Sequence, residues 1–255
     1  MTLHCSASEN KAKDINTDHT MSLTSAPSIR CVINLGNPLL ACMQASQPQG
    51  ISVDIAQAWA QQTGQVCAFT VVNNAREAVE LLEKQEADLG FLAIDPSRAK
   101  HLQFTQAYLQ IEGCYAVKNE SMIQHLNDVD QAHHQVVVGL GSAYDLFLSR
   151  HLQHAQLIKA PSSDTVVKTF LNEQADVAAG VKHQLELDLQ KHAGLRMLPG
   201  HFMQIQQALA IHQHAGKEAL EKLQLFLTHF IQSGQLKASM QKHRVRGASI
   251  AEALV

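Results

Sequence analysis

From Ile29 onward, short apolar runs alternate with amphipathic stretches, and this alternation constrains the fold more than any other feature of the sequence. IRCVINL reads as a strand. SVDIAQAWAQQTG follows as a helix, with Ile55, Ala58, Trp59 and Gln62 at helical spacing and Gly64 placed to stop it. VCAFTVV reads as a strand, AREAVELLEKQE as an amphipathic helix, and DLGFLAI as a strand apolar on both faces, which suits the middle of a parallel sheet. A second set begins after the long strand YLQIEGCYAVK. VVVGLGS is a strand and tight turn and AYDLFLSRHLQ a helix; QLIKA, SDTVVKTFLNE, ADVAAGV, KHQLELDLQKH and LRMLP then read β-α-β-α-β. QQALAIH is a further strand, and KEALEKLQLFLTHFIQSG and GQLKASMQKHR are closing helices. The expected fold class is therefore α/β, two units joined by extended crossings. Lobe one is expected over 29–109 plus 207–248 and lobe two over 110–206, with a ligand cleft between them at the carboxyl ends of the strands.

An apolar fraction of 45% in 255 residues supplies enough side chains for real cores. A formal net charge of -3 argues against a nucleic-acid partner, which would need a concentrated surplus of Lys and Arg. No segment approaches the length of a membrane span. The head, residues 1–28, is rich in Ser, Thr, Asn, Asp and Lys and is expected to be disordered. It holds no apolar run long enough for a signal-peptide core, whether translation starts at Met1 or Met21, so a cytoplasmic location is expected. Cys5, Cys31, Cys42, Cys67 and Cys114 are odd in number and widely spaced, and read as reduced, mostly buried thiols. Among the 15 histidines, His151 with His154 and His212 with His214 make pairs, but neither pair has a third ligand at a recognised spacing. No metal or cofactor is expected, since dinucleotide, Walker and nucleophile-elbow motifs are also missing. The chain is expected to be a monomer.

In DLGFLAIDPSR a guanidinium, Arg98, stands directly behind a strand that should be buried. A planar guanidinium fits a carboxylate with two parallel hydrogen bonds, which are stronger in a water-poor cleft than at the surface. The ordinary alternative is an ion pair, with Asp95 or Glu112 as partner. In GLGSAY, a glycine turn leading into a helix exposes backbone N–H groups at Gly141 and Ala143, and Ser142 adds a hydroxyl that could equally serve as an N-cap. Asn37, Asn73 and Asn74 stand in loops beside the expected cleft, where they either contact a ligand or shape turns.

The order of these segments resembles the periplasmic solute-binding proteins of the amino-acid type, family 3, from about Ile29 to Arg246. GISVDIAQAWAQQTG, AREAVELLEKQEAD, AIDPSRAKHLQFTQAY and VVVGLGSAYDLF carry the resemblance. It implies a two-lobed, type II periplasmic-binding-protein-like fold that captures a small solute by lobe closure. It also implies an ABC permease as partner if the chain is exported, with the periplasm as the alternative location. Arg98 would hold the ligand's carboxylate, helped by Ser142. The chain departs from the family pattern where an ammonium is usually held: Val181 replaces an Asp, and Ala93 replaces a Thr. Two positions that often supply aromatic walls are Gly36 and Ala75. With the anion clamp kept and the cation clamp lost, the expected ligand is a carboxylate, such as a keto, hydroxy or aromatic acid, with an ordinary amino acid as the alternative. Two rival functions share the fold: a dehydratase acting on a cyclic acid through Glu112, Asp145 or Glu173, and a ligand-responsive sensor module.

Overall fold

The computed structural model describes residues 27–252. Most of the expected disordered head, and Cys5 with it, lies outside the described residues; Ser28, the last residue of that head, already opens the first strand. In chain order the elements are β1 (Ser28–Asn34), β2 (Cys42–Gln44), β3 (Gln47–Gln49), α1 (Ile51–Thr63), β4 (Val66–Val72), α2 (Ala75–Glu83), β5 (Leu89–Ala93) and β6 (Leu102–Lys118). β7 (Gln135–Gly139), α3 (Ala143–His151), β8 (Gln156–Ala160), α4 (Val166–Asn172), β9 (Val177–Val181), α5 (Lys182–Lys191) and β10 (Leu195–Met197) follow. β11 (Met203–His212), α6 (Lys217–Gln232), α7 (Gln235–Lys242) and β12 (Ala248–Ile250) complete the described chain.

The fold is α/β, built on a ten-stranded sheet whose main path runs β4-β1-β5-β11-β6-β9-β7-β8. β1 is parallel to β4 and β5, and β7 is parallel to β8 and β9, so each end of the sheet is a small parallel unit. Between them β11 runs antiparallel to β5 and β6, and β6 antiparallel to β9. A 17-residue strand such as β6 is long enough to serve both units. It begins six residues before the expected YLQIEGCYAVK, because β11 pairs with it as far back as Leu102.

Local sequence explains the packing. Every residue of β5 and of β9 is buried, as their unbroken apolar runs require. In α6, Leu223, Phe226, Leu227 and Phe230 recur at helical spacing and form its buried face, and the Trp59 ring packs on Phe226 with centroids 5.1 Å apart. Asp54 in the first turn of α1 accepts from Ser239 Oγ at 2.7 Å, Lys242 Nζ at 2.9 Å and His243 Nε2 at 2.9 Å, tying α1 to the end of α7.

Three features depart from the expected elements. β2 and β3 form a hairpin turned by Ala45 and Ser46, both at positive φ. The helix expected over SDTVVKTFLNE is split into a 3₁₀ turn, Ser163–Thr165, and α4. β12 adds a short strand to β6, pairing Ala248 with Ile111 and Ile250 with Leu109, in a stretch read as having no element. Cys31 and Cys114 are buried free thiols as expected, whereas Cys42 is exposed on the hairpin.

Candidate functional site

The strands aim their carboxyl ends at one place. Asn34 ends β1, Ala93 ends β5 and Val181 ends β9, and all three line a cavity of about 50 Å³. Ser142, which follows the turn after β7, lines it from the other parallel unit. Among the described residues, Arg98 is the only charged one in the lining.

Arg98 opens a 3₁₀ turn five residues beyond Ala93 and is 4% exposed. Its Nη1 donates to the Ala93 carbonyl at 2.8 Å and its Nη2 to the Gly141 carbonyl at 2.8 Å, so the side chain bridges the two parallel units. Burial pushes the guanidinium down to about 10, against the pull of the nearby Asp95 charge, and it stays protonated at neutral pH. Neither carboxylate considered as an ion-pair partner bonds to it. Asp95 accepts from Arg150 Nη2 at 2.7 Å and Nη1 at 3.2 Å, and Glu112 accepts from Lys182 Nζ at 2.7 Å. Among the described residues Arg98 makes no salt bridge. A buried cation bonded only to two neutral carbonyls leaves a positive field in the cavity, and an entering anion would complete it.

The α3 end of the cavity is built by its cap. Ser142 Oγ accepts from Asp145 N at 3.0 Å, the ordinary N-cap bond. Gly141, at φ 66°, donates its N–H to Asp145 Oδ2 at 2.8 Å. The Asp145 carboxylate also accepts from Ser149 Oγ at 3.1 Å. Of the first-turn amides, those of Ala143 and Tyr144 are left without intrahelical partners, as helix geometry requires. Ala143 lines the cavity; Gly141 lines a separate outer cavity of about 320 Å³ on the far side of the Arg98 bridge.

Of the three loop asparagines, the structure brings only Asn37 to the cavity, where its Oδ1 is buried without a partner. Asn74 is instead the N-cap of α2, accepting from Glu77 N at 2.9 Å, and Asn73 is exposed and does not line the cavity. Ala75 lines the cavity but Gly36 does not, and a Cβ on Gly36 would run into the Asn73 carbonyl oxygen. An aromatic side chain at position 36 is therefore incompatible with this loop. Glu112, Asp145 and Glu173 do not line the cavity: the first is ion-paired, the second holds the α3 cap, and the third is exposed at the end of α4.

Sequence reasoning missed Asn34, Ser52, Tyr144, Ser163 and Gln207, all in the lining. Only Asn34, polar at the end of an apolar strand, carried a signal. Tyr144 is 1% exposed and its hydroxyl makes no hydrogen bond of good geometry. Burial pushes the phenol up to about 12, a rise that the neighbouring Ser163 and Ser142 hydroxyls temper.

A second link across the units is the Arg150–Asp95 pair, with Asp95 buried. Burial alone pushes the Asp95 carboxyl up, but bonds from Arg150 and Ser97 outweigh it and hold it below its ordinary value. A depressed carboxylate contributes stability above its unfolded value of about 4 that is lost as pH falls through the folded value. Melting of the wild-type protein is expected to fall between about pH 5 and pH 3 more steeply than that of Arg150→Ala, measured by calorimetry at matched ionic strength. Equal slopes would show that the pair contributes nothing to acid stability.

Comparison with known proteins places this architecture. The model of the family described as bacterial extracellular solute-binding proteins, family 3, matches residues 29–245. No curated protein matches the chain. A histidine kinase sensor domain with similarity to periplasmic binding proteins superimposes with a TM-score of 0.77 at 16% identity, covering 88% of this chain and 98% of that one. A solute receptor for L-cysteine of Neisseria gonorrhoeae gives 0.75 at 18% identity, covering 86% and 92%, and the cysteine-binding protein from Campylobacter jejuni gives 0.73 at 16%, covering 85% and 88%. The two-lobed periplasmic-binding architecture is thus the fold of this chain. The cytoplasmic location expected from the head is overturned, because the matched family is extracellular by description. No helix among the described residues is long and apolar enough to cross a membrane.

Proposed function

Because this chain belongs to the bacterial extracellular solute-binding proteins of family 3, we propose that it captures a small carboxylate-bearing solute between its lobes. Arg98 grips the carboxylate, the Ser142 turn supports it, and Ala93, Ala143 and Val181 shape the rest of the contact surface, while Gly141 acts only by holding Arg98 through its carbonyl. Lobe one is 29–109 plus 207–248 and lobe two 110–206, and rotation about the two crossing strands β6 and β11 closes the cleft. An ABC permease is the partner this reading implies. The observation that carries it is the Arg98 guanidinium, buried in the cavity wall and bonded to two carbonyls but to no carboxylate. With Val181 and Ala93 in place of polar groups, and no acidic residue in the lining among the described residues, the site favours solutes without a charged amine.

The dehydratase alternative needs a carboxylate at the ligand, and none of its three candidates supplies one to this cavity. A thermal-shift screen of carboxylic acids paired with their primary amides tests the binding reading. A ligand at 100 times its Kd adds about 2.7 kcal/mol, a rise of roughly 5–10 °C for a chain of this size. Acids are expected to raise the melting temperature and amides to leave it unchanged. Equal shifts within pairs would refute the carboxylate grip.

A further inference from the structure

Resting on the carboxylate reading, we propose that the solute is a short 2-hydroxy acid, and that Tyr144 and Asn37 select it by reading the hydroxyl. The two residues enter the same cavity from opposite units, Asn37 from the loop after β1 and Tyr144 from the second residue of α3. Each brings a buried polar atom outside any hydrogen bond of good geometry, the Asn37 Oδ1 and the Tyr144 hydroxyl, the latter beside the Ser163 and Ser142 hydroxyls. Buried polar groups are almost always well paired, so two under-satisfied atoms on residues lining one small cavity point to a group that would pair with both. The Asn37 oxygen accepts only, and the phenol can donate. A hydroxyl satisfies both at once, donating to Asn37 and accepting from Tyr144. A keto oxygen accepts from Tyr144 but leaves Asn37 unpaired. An ammonium donates to Asn37 but finds no negative side chain in the described lining, where Arg98 is already positive.

Size narrows the class further. A cavity of about 50 Å³ has room for roughly four waters at ~10–15 Å³ each, which fits a skeleton of about three carbons and not an aromatic ring. The walls from Val181, Ile205 and Phe91 are apolar, which suits a short alkyl substituent beside the two polar groups.

Lactate, pyruvate and alanine share one skeleton and differ only at the atom in question, so isothermal calorimetry of the full chain with each tests the proposal. Lactate is expected to bind at least about tenfold tighter than pyruvate, and tighter still relative to alanine. In Asn37→Ala the lactate-to-pyruvate ratio is expected to fall to about one, while Tyr144→Phe weakens both acids. Melting of each ligand-free variant reports whether it is folded. Pyruvate or alanine binding as tightly as lactate overturns the hydroxyl selection and leaves carboxylate capture standing. Binding of none of the three overturns the short hydroxy acid, and carboxylate capture falls with it only if the acid-amide screen also shows no acid-specific shift. An unchanged ratio in a folded Asn37→Ala protein removes that side chain from the selection.

Discussion

Arg98→Ala is expected to weaken binding of the proposed carboxylate solute by about 2–4 kcal/mol, roughly 30- to 1000-fold at 25 °C, because the charged two-pronged hydrogen bond of that proposal and its geometry would be lost together. The side chain is buried, so little water screens the interaction. Arg98→Lys keeps the charge but loses the planar fork, and is expected to recover only part of the loss. Removing the guanidinium also frees the Gly141 carbonyl, which it now bonds from the opposite unit. The ligand-free variant should therefore favour a more open arrangement, visible as a larger radius of gyration in X-ray scattering. Titration calorimetry showing undiminished affinity would take Arg98 out of the site.

The second large effect is on stability. Gly50 precedes α1 with φ 133° and ψ 179°, a region that side-chain-bearing residues avoid. A Cβ there would lie 2.7 Å from the Ala41 Cα and closer still to the Leu40 carbonyl, and these are backbone atoms that cannot swing aside as a side-chain tip would. Strain and clash together are expected to cost Gly50→Ala about 3 kcal/mol or more, a fall of roughly 6–12 °C in melting temperature. The same junction positions Ser52, whose N–H donates to Leu40 O at 3.2 Å and which lines the cavity, so solute affinity should fall as well. A variant that melts within a degree or two of wild type would show that the loop relaxes at no cost.

Legibility from sequence followed the range of the forces involved. The unbroken apolar run of β5 announced a buried strand, although the strand is parallel only to β1 and antiparallel to β11 and so does not sit in the middle of a parallel sheet. Arg98 stood out because a charge directly behind such a strand is unusual. Ser142 was readable as a cap, since a cap is a contact between near neighbours in the chain, and the cap at Asn74, read only as a turn or ligand residue, is a contact of the same local kind. Whether a capped residue also reaches the cavity depends on how two units meet, and there the sequence was silent: Ser142 does, Asn74 does not. Nothing in AYDLFLSRHLQ marks Tyr144, and only the tertiary arrangement brings it into the cavity lining with its hydroxyl outside any bond of good geometry. The β2–β3 hairpin was hidden because Ala45 and Ser46 take left-handed angles without the glycine or asparagine that usually marks such a turn. Location failed for a different reason, since it was inferred from a feature of the head and not from the folded domain.

β12 has a mechanical consequence. The family match stops at residue 245, yet Ala248–Ile250 zips onto Leu109–Ile111 of the crossing strand, on which β11 already holds Gln204–Gln207 against Leu109–Glu112. Next to it, Gly247 packs against His183 at the start of α5, so this tail touches the lever that carries Val181 into the pocket wall. On the proposed rotation about β6 and β11, a payload fused behind Ala251 is therefore expected to act as a brake or a spring on the closing lobes.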